Sequence, residues 1–209
     1  DIDNSEAEDK CRHSICEAWI LQKWIPNFGR RKTNKLTVLQ QFVAENRNTF
    51  NAYGASVIAA VEKAYFAFYS VTKCIPHQKI ELLDLALNKT YSVNDVNASS
   101  QLQEGAILYI QLIEVDGETI ICENAPYVFG GNAELDVIHC IDYIKEHHDK
   151  KRITPKVLRE FEEYFRVICL KHIDSMFRPK EFCNTDGDPI HPSTLTYALK
   201  YHSWKPWIS

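Results

Sequence analysis

Apolar positions recur with three different rhythms along this chain, and the changes of rhythm divide it into parts. In the first part Ile15, Ala18 and Trp19 stand against Arg12, Glu17 and Lys23, which predicts a helix over Cys11 to Ile25. Pro26 and the Asn27-Phe28-Gly29 break end it. Leu36, Leu39 and Val43 predict a short second helix. Phe50, Tyr53, Val57, Val61, Ala64 and Phe68 recur at steps of three and four, the apolar face of a third.

From about Val71 to Phe129 the period becomes two. The run KIELLDLAL and the alternation of Tyr91 and Val93 predict two strands joined at Asn88-Lys89. Ser99-Ser100 and Gln103-Glu104-Gly105 read as turn chemistry, with Gly105 taking a positive φ. In the next strand Ile107, Tyr109, Gln111 and Ile113 face one way, and Leu108, Ile110, Leu112 and Glu114 the other. Both faces are largely apolar, so this strand is expected to be central and covered. Val115-Asp116-Gly117-Glu118 is a hairpin signal, and ETIICENAPYVF is the returning strand.

After Gly130-Gly131 helices return. Val137, Ile141 and Ile144 mark one face, and Thr154-Pro155 is an N-cap followed by proline at the first helical position. Leu158, Phe161, Phe165, Ile168 and Met176 then run through one long helix. A turn over Asn184 to Pro189 leads to an alternating strand ending near Tyr201. The expectation is an α+β fold of N-terminal helices (1–70), a small antiparallel sheet or barrel (71–130), and two further helices with a closing strand (131–209), all parts of one compact unit.

The segments DLALNKTYSV, SSQLQEGAILYIQLI and NTDGDPI, in that order, resemble a group of uncharacterised bacterial proteins that carry a SEC-C-type zinc motif. The closely spaced Cys-x-Cys and Cys-His pairs of that motif are absent here, so zinc does not carry over. The resemblance implies an intracellular α+β protein in which Leu102, Gly105 and the Asn184 to Gly187 turn serve structure.

Composition narrows the function. The net charge of −4 gives no global pull toward nucleic acid or a membrane surface. No apolar run approaches the length of a membrane span, and the acidic start lacks the order of a secretory signal. Seven scattered cysteines, mostly beside apolar neighbours, read as buried reduced thiols of a cytoplasmic chain rather than a disulfide framework. The sequence lacks an initiator methionine, and the expectation is a fragment or a processed form.

Four candidate chemistries remain. Cys11, His13 and Cys16, with Cys169 and His172, have spacings that metal sites use, but the apolar stripe around Cys169 favours packing, and no metal or cofactor is expected. Cys183, Asp186 and His191 lie close together, yet turn chemistry explains them better than nucleophilic catalysis does. Arg159/Glu163 and Glu162/Arg166 read as helical ion pairs four apart. Two basic clusters, Arg30, Arg31, Lys32 and Lys35, and then Lys150, Lys151 and Arg152 with His147, His148 and Lys156, could reach phosphates, and a barrel with exposed tyrosines could serve a single strand.

The tail holds Trp204 and Trp207, the residue type most enriched in interface anchors. The leading expectation is a non-enzymatic intracellular protein-interaction module, part of a larger bacterial protein or assembly, with an unidentified protein partner. A nucleic-acid-associated regulator is the alternative, and an enzyme with a Cys or metal site the third.

Overall fold

Seven helices and seven strands follow one another among the residues that the computed structural model describes, which are 4–26, 36–148, 152–177, 182–183 and 189–190. Helices α1 (Asn4–Gln22), α2 (Val38–Glu45) and α3 (Ala52–Lys63) precede strands β1 (Phe66–Ile75), β2 (Lys79–Asp84) and β3 (Lys89–Val93). Helix α4 (Val96–Gln101) leads to β4 (Ile107–Val115) and β5 (Glu118–Phe129). Helices α5 (Gly131–His147), α6 (Pro155–Glu160) and α7 (Glu162–Phe177) follow, then β6 (Phe182–Cys183) and β7 (Pro189–Ile190). The fold is α+β.

The chain clusters into two compact units, Asp1–Phe177 and Arg178–Ser209. The first runs across the expected boundaries at 70 and 130. In the second, β6 and β7 pair antiparallel, Phe182 opposite Ile190 and Cys183 opposite Pro189. The expected closing strand near 194–201 lies outside the described residues.

β1 to β5 close into a barrel in the order β1-β2-β3-β5-β4. All ladders are antiparallel except the seam between β3 and β5, a single parallel pair at Val93 and Thr119. The barrel is therefore mixed, where an antiparallel one was expected. Its interior is filled by alternate residues, among them Ala67, Tyr69, Val71, Ile80, Leu82 and Val93, with Leu108 and Ile110 of β4. The opposite faces of β1 and β4 are also buried: Phe66, Phe68, Ile107 and Tyr109 pack with Ile15 and Ala18 of α1 and with the inner stripes of α5, α6 and α7. On another flank α3 lays Val57, Ala60 and Val61 against Ile113 and Val115.

Several local expectations change. The third helix stops at Lys63, and β1 starts at Phe66 within the segment read as helical, because Phe66 to Tyr69 bury consecutive side chains on two opposite faces. The stretch read as turn chemistry at Ser99-Ser100 forms α4, capped by Asp95, whose Oδ1 accepts from the Ala98 N–H at 2.8 Å. The expected long helix breaks at Phe161 into α6 and α7, and Met176 is exposed. Of the described cysteines only Cys169 is buried; Cys16 is exposed, and Cys74, Cys122 and Cys140 are half-buried.

The turn residues act as their conformations require. Asp116 (φ 51°) and Gly117 (φ 85°) are both left-handed, the type I′ geometry that matches hairpin twist. Gly105 takes φ 85°, and its N–H donates to the Val71 carbonyl at 2.8 Å, anchoring the α4–β4 connection on β1.

A Cβ at Gly105 would meet no atom within 4 Å, so substitution there is governed by φ alone. Gly105→Val is expected to destabilise the fold by about 1–2 kcal/mol, and Gly105→Asn by less, because asparagine tolerates the left-handed region. Urea unfolding of both variants checks this; equal stabilities would show that φ does not govern the site.

Candidate functional site

Polar chemistry concentrates at the end of the barrel where β2 ends and β3 begins. Asp84 follows Ile80 and Leu82 at interior-facing positions of β2, so its carboxyl enters the core and is 0% exposed. Its Oδ1 accepts the backbone N–H groups of Ala86 and Leu87, each at 2.8 Å, which holds the turn into β3. Its Oδ2 is buried with no hydrogen-bond partner. Burial pushes this carboxyl up from its ordinary value, against the Leu87 and Ala86 N–H groups and the charge of Lys89.

Three tyrosines surround it. Tyr69 is the cross-strand partner of Asp84 on β1, and Lys89 its partner on β3. Burial, then the nearby Asp84 carboxylate, raises the Tyr69 phenol. The same two causes raise Tyr65, whose side chain hydrogen-bonds that of Tyr91. The Tyr65 and Tyr69 phenols therefore stay protonated at neutral pH, able to donate as well as accept. Tyr69 and Tyr91 meet edge to face at 6.0 Å, and Lys89 Nζ sits 4.3 Å from the Tyr91 ring centroid. A cavity of about 530 Å³ opens here, lined by these tyrosines, Lys63 at the end of α3, Lys89, and Leu112 and Glu114 of β4.

The helical side carries a different surface. α2 and α3 bury no residue, although both are rich in apolar positions. Trp19 (36% exposed), Ile20, Leu21 (50%), Trp24 and Ile25 stand out at the exit of α1, and Leu36 and Phe42 (52%) on and beside α2. Trp19 is partly engaged, with the Arg166 guanidinium 4.8 Å over its ring. Between α5 and α7 a groove of about 730 Å³ is lined by His139, Cys140, Tyr143, Tyr164, Val167 and Ile168.

The residues singled out from sequence fare unevenly. Arg30, Arg31, Lys32, Lys35, Lys150, Lys151, Trp204 and Trp207 lie outside the described residues, as do Asp186 and His191. Arg152 and Lys156 are exposed. His147 and His148, read as part of a basic cluster, are drawn into an aromatic group instead: His147 stacks on Tyr143 at 4.2 Å, and His148 packs against Phe161 and Tyr164.

The metal candidates are apart in role. Cys169 is buried in the core, His13 pairs with Glu17 at 3.1 Å, and His172 Nε2 lies 2.9 Å from Asp136. Partial burial pushes the Asp136 carboxyl up, but the His172 hydrogen bond and Lys171 outweigh it and hold it below the ordinary range. No group of three His, Cys, Asp or Glu residues is arranged to hold a metal among the described residues. The expected helical ion pairs are replaced: Glu163 meets Arg166 three residues on, Glu162 reaches Lys23 at 3.0 Å, and Arg159 donates to the Lys63 carbonyl at 2.9 Å.

The outer face of β2 and β3 is where a small closed barrel could offer single-stranded nucleic acid a platform. Fold alone does not carry that function. Here the face presents Glu81, Leu83, Thr90 and Ser92, with Lys79 held 3.7 Å from Glu81, and no aromatic residue. The barrel tyrosines, expected on the surface, are buried or half-buried: Tyr69 and Tyr109 face the two cores, and Tyr91 the cavity. A stacking platform needs exposed rings and a basic groove. This face supplies neither.

Asp84 was not singled out from sequence, although its phase with Ile80 and Leu82 places a carboxyl at an interior position. A raised folded-state pKa means that Asp84 favours folding only when protonated; its contribution is present below the unfolded value and is lost as pH rises through the folded one. Asp84→Asn keeps the Oδ1 acceptor and removes the charge. It is expected to raise the melting temperature at pH 7, by about 2–4 °C for each kcal/mol recovered, with the gap closing toward pH 3. A variant that melts lower than wild type at pH 7 would show that the ionised carboxylate is stabilised in place.

Comparison with known proteins bears on the family alone. No curated protein and no solved structure matches the chain. Residues 28–175 match one family model, a span that takes in α2, α3, the whole barrel, and α5 to nearly the end of α7, while α1 precedes it. The chain therefore belongs to the family of unknown function DUF7986.

Proposed function

We propose that this chain is a non-enzymatic protein-interaction module that works in the cytoplasm as part of a larger bacterial protein or assembly. The observation that carries the reading is the apolar surface at the exit of α1 and on α2. Trp19, Ile20, Leu21, Trp24, Ile25, Leu36 and Phe42 are all more than a third exposed there. Scattered exposed apolar residues are ordinary, but seven of them between positions 19 and 42, two of them tryptophan, match the composition of interface anchors. No helix among the described residues is long and apolar enough to cross a membrane, so these residues do not form a helical span.

The chemistry of the thiols supports a binding role over a catalytic one. Burial pushes Cys140 up to about 11 and raises Cys122, so neither is a ready thiolate at neutral pH. The His172–Asp136 pair resembles the base half of a nucleophilic site, but the His172 ring is engaged edge to face with Phe129. The partner fitted by the α1–α2 surface is a protein presenting an amphipathic helix, whose apolar stripe would cover Leu21 and Ile25.

Burying a leucine and an isoleucine contributes about 1.5–3 kcal/mol each, so the double variant Leu21→Glu/Ile25→Glu should weaken the complex by at least about tenfold. The test is cross-linking mass spectrometry on the full-length protein in its source cells, followed by calorimetry with the purified partner. Expected are cross-links from residues near 19–42, and loss of affinity in that variant but not in Leu83→Glu on the barrel. Nucleic acid as the sole stoichiometric companion, or affinity indifferent to both helix substitutions, would overturn the reading.

A further inference from the structure

The cavity at the end of the barrel is remote in kind from an interaction surface. It is concave, has tyrosine and aliphatic walls, and gathers its charged groups at one rim. We propose that it is a binding site for a small hydrophobic carboxylate, with the apolar body held among Tyr65, Tyr69, Tyr91 and Leu112 and the carboxylate at Lys63 and Lys89.

Size comes first. About 530 Å³ falls within the range that small-molecule sites occupy. The walls select the body of the ligand, because Ala60, Ala64 and Leu112 offer no hydrogen bond and the tyrosines offer ring surface. The rim selects its charge. Glu114 is already matched by Lys89 at 3.6 Å, while Lys63 has no carboxylate partner among the described residues and is exposed at the edge of the cavity. Arg159, bonded to the Lys63 carbonyl, adds a further cation nearby. The uncompensated charge at the mouth is therefore positive, which suits an anion.

Hydroxyl chemistry completes the site. The Tyr65 and Tyr91 side chains already hydrogen-bond each other, and burial keeps Tyr65 a phenol. A phenol pair can turn one O–H toward a carboxylate without leaving the other group unsatisfied. Asp84 closes the region from inside the barrel with a buried oxygen that nothing in the protein answers. Buried polar groups are almost always satisfied in structures selected for stability alone, and the exceptions gather at sites of function. The Asp84 carboxyl also explains why the anion belongs at the lysine rim: the floor presents an acidic group and the rim presents cations. This site shares no residue with the α1–α2 surface, so it stands or falls independently of the interaction reading.

Titration calorimetry of the full chain with benzoate and hexanoate, and with uncharged benzamide, tests the assignment. Either carboxylate is expected to saturate one site, with benzamide at least about tenfold weaker. Lys63→Ala, at an exposed position, should weaken the carboxylate about tenfold, and Tyr91→Phe should weaken it while keeping the ring. Chemical-shift changes in the tyrosine ring resonances place the ligand without relying on any variant. The proposal is overturned if neither carboxylate saturates in the millimolar range, if benzamide binds as well as benzoate, or if binding is unchanged in Lys63→Ala/Lys89→Gln.

Discussion

Everything in the first unit is built on the ladder between β1 and β4. Its pairs run from Phe66 opposite Gln111 to Ser70 opposite Ile107, and each strand is buried on both faces. Ala67, Tyr69, Leu108 and Ile110 enter the barrel, while Phe66, Phe68, Ile107 and Tyr109 turn to the helices. On the helix side the aromatic rings interlock, Tyr109 lying 5.1 Å from Phe66 and 4.8 Å from Phe68. The barrel interior and the layer of α1, α5, α6 and α7 are thus two cores sharing one wall. A cavity on either side would be felt by the other, because close-packed interiors transmit strain.

A wall apolar on both faces has a register problem. Slipping a strand by one residue normally exposes its apolar set to water, and that penalty fixes the pairing. Here a slip would exchange one apolar face for another, so size and polarity must decide instead. Ala67 fits the narrow interior where a phenylalanine would not. Gln111 faces outward, fully buried, and exchanges hydrogen bonds with Gln22 of α1 at 2.8 and 3.0 Å. Moved to the interior, that amide would be unsatisfied, at a cost of about 1–3 kcal/mol.

These facts show which parts of the fold the sequence made legible. The alternating run of β4, its two apolar faces and the Asp-Gly hairpin rest on local chemistry, and they stand as read. So do the Thr154-Pro155 helix start and the inner stripe of α5. The β1 boundary did not, because Phe68 satisfies a helical spacing from Phe50 as readily as a doubly buried strand; only the pairing with β4, distant in sequence, decides between them. α4 was hidden for a related reason, since Ser99 and Ser100 favour turns and the single cap at Asp95 tips a six-residue segment into a helix. The candidate site was least legible. Its members come from α3 and from four strands, β1 to β4, and no short motif joins them. Most of the basic residues and both tail tryptophans that drew attention instead lie outside the described residues; Arg152 and Lys156 are described, and both are exposed.

The two fully buried polar side chains of the sheet, Gln111 and Asp84, separate structural polarity from the other kind. Both sit at positions that alternation assigns to a core, and both are 0% exposed. Gln111 is answered by a group of matching chemistry on a neighbouring helix, so its polarity locates α1 on the barrel and is accounted for by packing alone. Asp84 is answered only at one oxygen, by the turn it caps. An asparagine would serve that turn equally well without placing a charge in the core. The second oxygen therefore adds a desolvation penalty that the fold does not require. It stands beside two phenols kept protonated, Tyr65 and Tyr69, and across the ladder from Lys89, whose ion-pair partner is Glu114 of β4. Stability selects against such an arrangement in isolation, which makes the end of the barrel, and not its walls, the place where this fold departs from what packing asks of it.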